Sequence, residues 1–258
     1  MNPLINQLNP KERRGSKPRC HLLTHGMADE VAARLTALAA PFATVSASDA
    51  WMPVGFEQVQ EAELNKTPRL LRADLREKLG AWWLPVDRQT ARTPNFDIAS
   101  TCTVGGVPGL LLVEAKAHAQ ELRKEESGRV LDADASEDRK ASHGTIGKAI
   151  AEAAAGLALA TGAPCHLSRD THYQMANRFA WAWKLTELGV PVVLVYLGFL
   201  NADEMRDKSA PFSSHADWQQ QVKAHSAPLF GVDPWEAAWA CNGRSLVPLI
   251  RSKELSLG

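Results

Sequence analysis

The sequence predicts an α/β fold in which a mixed β-sheet is flanked by helices. Three observations carry this expectation. Residues 190–200 (VPVVLVYLGFL) form a continuous apolar run of strand length, as expected for a strand covered on both faces. Two further strand-like segments, 95–104 and 109–116, flank Gly105-Gly106, a pair suited to a tight hairpin turn. Between and around them lie segments with apolar residues at helical spacing, near 27–40, 68–80, 145–161 and 171–188.

In chain order, residues 1–20 are polar and basic, with Lys11, Arg13, Arg14, Lys17 and Arg19, and are expected to form a flexible tail ahead of a single domain over 21–258. Residues 27–40 (MADEVAARLTALAA) have good helix-forming composition. A second helix is expected from Thr67-Pro68, an N-cap followed by proline at the first helical position, to about Gly80, docking through Leu71, Leu75 and Leu79. Trp82, Trp83, Leu84 and Val86 suggest a first strand, which with 95–104 and 109–116 makes an antiparallel succession of three. The charged stretch 123–142 reads as an exposed loop before an alanine-rich helix from about Thr145 to Thr161. The next helix, about Thr171 to Leu188, is apolar around most of its circumference, with a narrow polar stripe of Gln174, Asn177, Arg178 and Lys184. A polar helix near 217–224 and a short aromatic one near 234–239 complete the reading.

Composition limits the function classes. The 258 residues are 45% hydrophobic and 22% charged, ordinary globular values that exclude wholesale disorder. The longest apolar run is too short to cross a bilayer and holds Pro191 and Gly198, and residues 1–20 lack a secretory apolar stretch, so no membrane partner and a cytoplasmic location are expected. Cys20, Cys102, Cys165 and Cys241 lie far apart with no CxxC pair, which argues against a zinc knuckle or redox motif. The 29 basic residues balance 29 acidic ones, so any nucleic-acid surface must come from local charge segregation.

One constellation carries chemistry. Glu114 and Lys116 end an apolar strand and, because strand side chains alternate, share a face that Ala115 does not. Asp97 lies one hairpin upstream, so antiparallel pairing brings the two carboxylates together. Two acids and a lysine at the end of a hydrophobic strand are costly to place without a metal ion or an anionic substrate. Hard oxygen ligands suit Mg²⁺, which neutralises charge growing on a phosphate, and a neighbouring lysine orients or deprotonates water and stabilises transition-state charge.

Asp97 followed by Glu114-Ala115-Lys116, on adjacent strands after a helix and before a helix–strand unit, resembles the PD-(D/E)XK nucleases. The resemblance spans about 67–200, leaving 201–258 as a C-terminal embellishment. The naming proline is displaced: Phe96 precedes Asp97, and Pro94 stands three positions upstream. The resemblance implies a restriction-endonuclease-like core and a Mg²⁺- or Mn²⁺-dependent hydrolase that cleaves phosphodiester bonds of DNA or RNA. It implies Asp97, Glu114 and the Ala115 carbonyl as metal ligands and Lys116 as the catalytic lysine. Nucleic acid, with DNA ahead of RNA, is the partner expected, and a homodimer is compatible. Many members add an upstream glutamate; Glu57, Glu61, Glu63 and Glu77 are available here, with Glu63 slightly favoured. RecB-like members carry a glutamine and a tyrosine on the following helix; Gln174 fits, but Arg178 stands at the tyrosine position. Thr171-x-x-Gln174 is equally a capping-box pattern.

Other signals are set aside. Gly144-Thr-Ile-Gly147-Lys148 is too short for a phosphate loop, and Asp132-Ala-Asp134-Ala-Ser136 lacks the glycine and the glutamate of a calcium loop. His118 is expected at the surface, and Trp181 and Trp183 in the core. The alternative function is a catalytically silent nucleic-acid-binding or interaction protein on the same fold. A further alternative is an unrelated α/β protein in which Glu114 and Lys116 form an exposed ion pair.

Overall fold

A computed structural model of the chain describes residues 2–85 and 93–258. Its helices are α1 (Ser16–Leu23), α2 (Ala28–Ala39), α3 (Ala73–Trp83), α4 (Ala119–Lys124), α5 (Glu137–Thr161), α6 (Tyr173–Glu187) and α7 (His215–Ser226). Its strands are β1 (Ala43–Thr44), β2 (Trp51–Met52), β3 (Ala62–Glu63), β4 (Asn95–Phe96), β5 (Ile98–Val104), β6 (Val107–Lys116), β7 (Val192–Leu200), β8 (Trp239–Cys241) and β9 (Arg244–Glu254). The fold is α/β. A seven-stranded mixed sheet runs β1-β5-β6-β7-β9-β8, with β2 also on β5, and β3 pairs with β4 beside it.

The β5–β6 hairpin turns at Gly105 and Gly106, whose φ values of 56° and 82° favour residues without a Cβ. β7 then joins β6 in parallel, and β9 joins β7 in parallel. Alternation sends Leu110 and Leu112 of β6 and Leu194 and Tyr196 of β7 into a core built with α3, α5, α6 and α7. Leu111, Val113 and Ala115, with Val193, Val195 and Leu197, face the other way into a core built with α1 and α2. These two central strands are therefore covered on both faces, as their continuous apolar sequence demands.

Several expectations change. Trp82 and Trp83 belong to the last turn of α3 rather than to a strand, because Leu75, Leu79 and Trp83 recur at one face and are all buried. Trp83 meets Trp181 edge-on at 5.6 Å. The expected Val86 lies outside the described residues. The expected three-strand succession is thus the β5–β6 hairpin with the short strands β1 and β2 on its outer edge. α3 starts at Ala73, since 67–70 form a turn closed by Leu70 N–H on the Thr67 carbonyl. α5 starts at Glu137, capped by Ser136 with Glu137 and Asp138 in its first turn, so part of the presumed loop 123–142 is helical.

The expected aromatic helix at 234–239 is instead a turn leading into β8, with Glu236 at φ 62°. β8 and β9 form a hairpin across Asn242-Gly243, a strong turn signal. Pro248 within β9 is tolerated because β8 pairs only with 244–246, and at the proline only the carbonyl is called on, accepting from Glu236 N–H at 2.8 Å. Residues 1–20 were expected to be free; in the structure Pro3–Gln7 forms a 3₁₀ turn whose Ile5 is buried, and α1 begins at Ser16. Arg19 is buried, paired through both terminal nitrogens with Glu204 and donating Nε–H to the Leu255 carbonyl at 2.8 Å. No helix among the described residues is long and apolar enough to cross a membrane.

Candidate active site

The site forms where β5 begins. Ile98 is paired with Val113, so the next position, Asp97, falls opposite Glu114. The chain bends at Asp97 between β4 and β5, which removes the ladder partner that Ala115 N–H would have had. The Asp97 carboxylate replaces it, accepting from Ala115 N–H at 2.7 Å. The N–H and C=O of one strand residue point to the same edge, so the Ala115 carbonyl also faces the start of β5.

Glu114 and Lys116 continue the face of Leu110 and Leu112, toward α6. Both are buried, at 2% and 5% exposure, so the exposed ion pair of the third reading does not occur. Lys116 ammonium bonds Glu114 and lies 2.7 Å from Glu125, whose side chain is fully buried. Glu114 also accepts from Gln174 Nε2 and from Arg178 Nε on α6. Arg178 is held in turn by the side-chain Oδ1 of Asn177, which accepts from it, and by the face of Phe96, 4.9 Å from its ring centroid. Beyond Glu125 stands His225 at 3.5 Å, stacked at a tilt on His172 with centroids 4.7 Å apart.

Burial pushes the Asp97 carboxyl up to about 8, and the Glu114 charge adds to the effect; Lys116 and the Ala115 N–H oppose them without prevailing. Burial alone would lower Lys116, but Glu114, Glu125 and Asp97 outweigh it and hold the ammonium well above the ordinary lysine range. Lys116 is therefore a fixed cation here rather than a base. Burial likewise works against Glu125, and Lys116 and His225 overcome it, keeping this carboxyl below its usual range.

Comparison with models of known families, with curated proteins and with solved structures finds no match. The site must accordingly be judged on its own residues. Among those singled out in the sequence, Asp97, Ala115, Glu114, Lys116 and Gln174 are brought together. The capping reading of Gln174 fails: the N-cap of α6 is His172, which makes no side-chain cap, and Gln174 is turned onto Glu114. Glu63 is engaged elsewhere, accepting from Thr93 and pairing with Lys66 at 2.6 Å. Of the four upstream glutamates it is Glu61 whose charge reaches Asp97; it is held by Lys17 at 3.3 Å and by Asn95. Glu57 and Glu77 are exposed. His118 is buried rather than superficial, 3.7 Å from Glu121.

Arg178, Glu125, Tyr196 and His225 were not anticipated. Arg178 was visible as a departure from a tyrosine. Tyr196 could have been placed by parity, since it lies level with Glu114 on β7. Glu125 and His225 offered no local signal, because only the tertiary fold makes them neighbours.

Asp97, Glu114 and the Ala115 carbonyl form an all-oxygen donor set of the kind that suits Mg²⁺ or Mn²⁺. An Asp97 carboxyl that retains its proton for want of positive charge fits the same group. Against this, no group of three or more His, Cys, Asp and Glu side chains among the described residues is disposed to hold a metal ion.

Proposed function

We propose that this chain is a metal-dependent phosphodiesterase acting on nucleic acid, a nuclease with a PD-(D/E)XK-type site on a restriction-endonuclease-like core. The observation that carries the reading is the opposition of Asp97 and Glu114 across the end of the β5–β6 ladder, with Lys116 buried on the Glu114 face. Burying three ionisable groups in one place for stability alone is poorly rewarded, because the desolvation cost rivals the Coulombic gain.

In this reading Asp97, Glu114 and the Ala115 carbonyl would hold Mg²⁺ or Mn²⁺, which would supply activation of water and neutralisation of phosphate charge. Gln174 and Arg178 fix the Glu114 carboxylate, so its orientation does not depend on the metal. Lys116, permanently charged, stabilises the negative charge that develops on the phosphate; proton abstraction is not assigned to it. Glu125 and Glu114 together hold that ammonium in place.

A second reading has its own support. Glu114 already accepts from Lys116, Gln174 and Arg178, a satisfied arrangement that a catalytically silent nucleic-acid-binding or interaction protein could retain. Incubation of the pure protein with plasmid, linear duplex and single-stranded DNA and RNA, in Mg²⁺, Mn²⁺ or EDTA, separates the two. Cleavage with either cation that EDTA abolishes is the expected result. Intact substrates under every condition would leave the silent reading.

A further inference from the structure

A cavity of about 330 Å³ opens directly beside the Asp97–Glu114 centre. Gln174 and Arg178, which grip Glu114 from one side, form part of its wall. Asn95, Asn177, Tyr173 and Arg129 also line it. Its size lies at the low end of small-molecule sites, roughly 300–1,000 Å³, so it has room for one nucleotide and none for a duplex.

The wall carries unspent recognition chemistry. Asn95 Oδ1 is buried and has no hydrogen-bond partner among the described residues, an acceptor stripped of water without compensation. Asn177 is 4% exposed, and among the described residues its side chain accepts at Oδ1 from Arg178, which leaves its amide N–H₂ to donate. At the rim Tyr173 is half-buried, and the exposed Arg129 lies with its guanidinium 5.7 Å from the centroid of that ring. Amides that both donate and accept, an aromatic face and a neighbouring cation are the components with which proteins hold an unpaired base and its phosphate.

We infer that this cavity is a subsite for one unstacked nucleotide next to the scissile phosphate, and that the substrate is single-stranded nucleic acid or a frayed end. The placement of the phosphate rests on the phosphodiesterase reading; the binding does not. A phosphate at Lys116 puts the adjoining nucleotide at the cavity mouth, and its base reaches Asn95 and Asn177 only when it has left a stack. Tyr173 supplies the stacking surface, Arg129 the charge at the backbone.

Fluorescence anisotropy in EDTA, where no cleavage occurs, tests this with labelled oligothymidine, oligouridine and a duplex of equal length. Wild type should bind a single strand more tightly than the duplex; the two homopolymers distinguish DNA from RNA. Tyr173→Ala should weaken single-strand binding by roughly 5- to 150-fold, the range that one aromatic–base stack contributes. Tyr173→Phe should retain it, which separates stacking from a general loss of fold, and Arg206→Ala on a distant exposed turn should change nothing. Single-strand affinity unchanged in Tyr173→Ala, or a duplex bound as tightly as the single strand, overturns the inference. Cleavage of duplex without single-strand binding would overturn it while leaving the nuclease reading intact. Tyr173-dependent binding without cleavage in any cation would support the subsite and overturn hydrolysis.

Discussion

At Asp97, burial and the Glu114 charge act in the same direction, and the consequence is a stability that depends on pH. The folded protein keeps this proton up to about pH 8, whereas the unfolded chain releases it near about pH 3.9. Between those values the folded state binds more protons than the unfolded one, so this group's contribution falls as pH rises. Asp97→Asn keeps an oxygen for the Ala115 N–H and has no proton to lose. In EDTA it should melt at a higher temperature than wild type, with the difference widening from pH 5 to pH 8; a difference that narrows with rising pH would contradict the burial argument. Lys116 behaves differently. Lys116→Ala leaves Glu125 buried without its ammonium partner and Glu114 with Arg178 alone, a loss expected to reach about 3–5 kcal/mol. Chemical denaturation should therefore show Lys116→Ala strongly destabilised and the double variant with Glu125→Gln partly restored. Cleavage should stay low in both, by about 10²–10³. Parity along β6 was enough to place Glu114 and Lys116 on one face from sequence. The burial of Lys116, which turns it from a possible base into a fixed cation, could not be read, because Glu125 comes from a separate helix end.

At the scale of elements, α5 lies against α6, and Gly156 of α5 faces Trp183 of α6. A Cβ there would fall 2.2 Å from Trp183 Nε1, on a rigid indole that cannot swing aside as a flexible chain would. Helix propensity favours Gly156→Ala by about 1 kcal/mol, whereas forced overpacking costs about 1–3 kcal/mol. The clash should prevail, and thermal unfolding should show Gly156→Ala less stable than wild type; a rise in melting temperature would show that the two helices separate readily. The elements legible in the sequence were those with unbroken periodicity, such as α2, α6 and β7. Those missed were decided by neighbours. Trp82 and Trp83 look like strand residues until Leu75 and Leu79 claim Trp83 for the helix face, and the charged start of α5 shows no apolar period because that face is exposed. Asn242-Gly243 carries a turn signal that the expectation of an aromatic helix at 234–239 left unused.

For the whole molecule, the mixed sheet with helices on both faces matches the expected class, and the departures lie at its ends. Of the basic N-terminal residues, expected to be solvated, Arg19 closes on Glu204 and the Leu255 carbonyl, Lys17 pairs with Glu12 and Glu61, and Arg14 pairs with Asp207. The charge of these three is balanced within the fold. In the proposed reading a net charge of zero leaves recognition to local groups, and Arg129 and Tyr173 line the cavity that Gln174 and Arg178 share.

The central claim is that the opposed carboxylates perform metal-dependent hydrolysis, and the cleavage rate of Asp97→Asn in Mg²⁺ or Mn²⁺ tests it most directly. The substitution preserves the bond to Ala115 and removes a carboxyl whose ionisation is costly when buried, so a loss of activity cannot be ascribed to unfolding. The account predicts a rate about 10²–10³ below wild type, with the EDTA-sensitive cleavage of wild type and a melting temperature at least equal to it. Cleavage by Asp97→Asn at the wild-type rate would contradict the account.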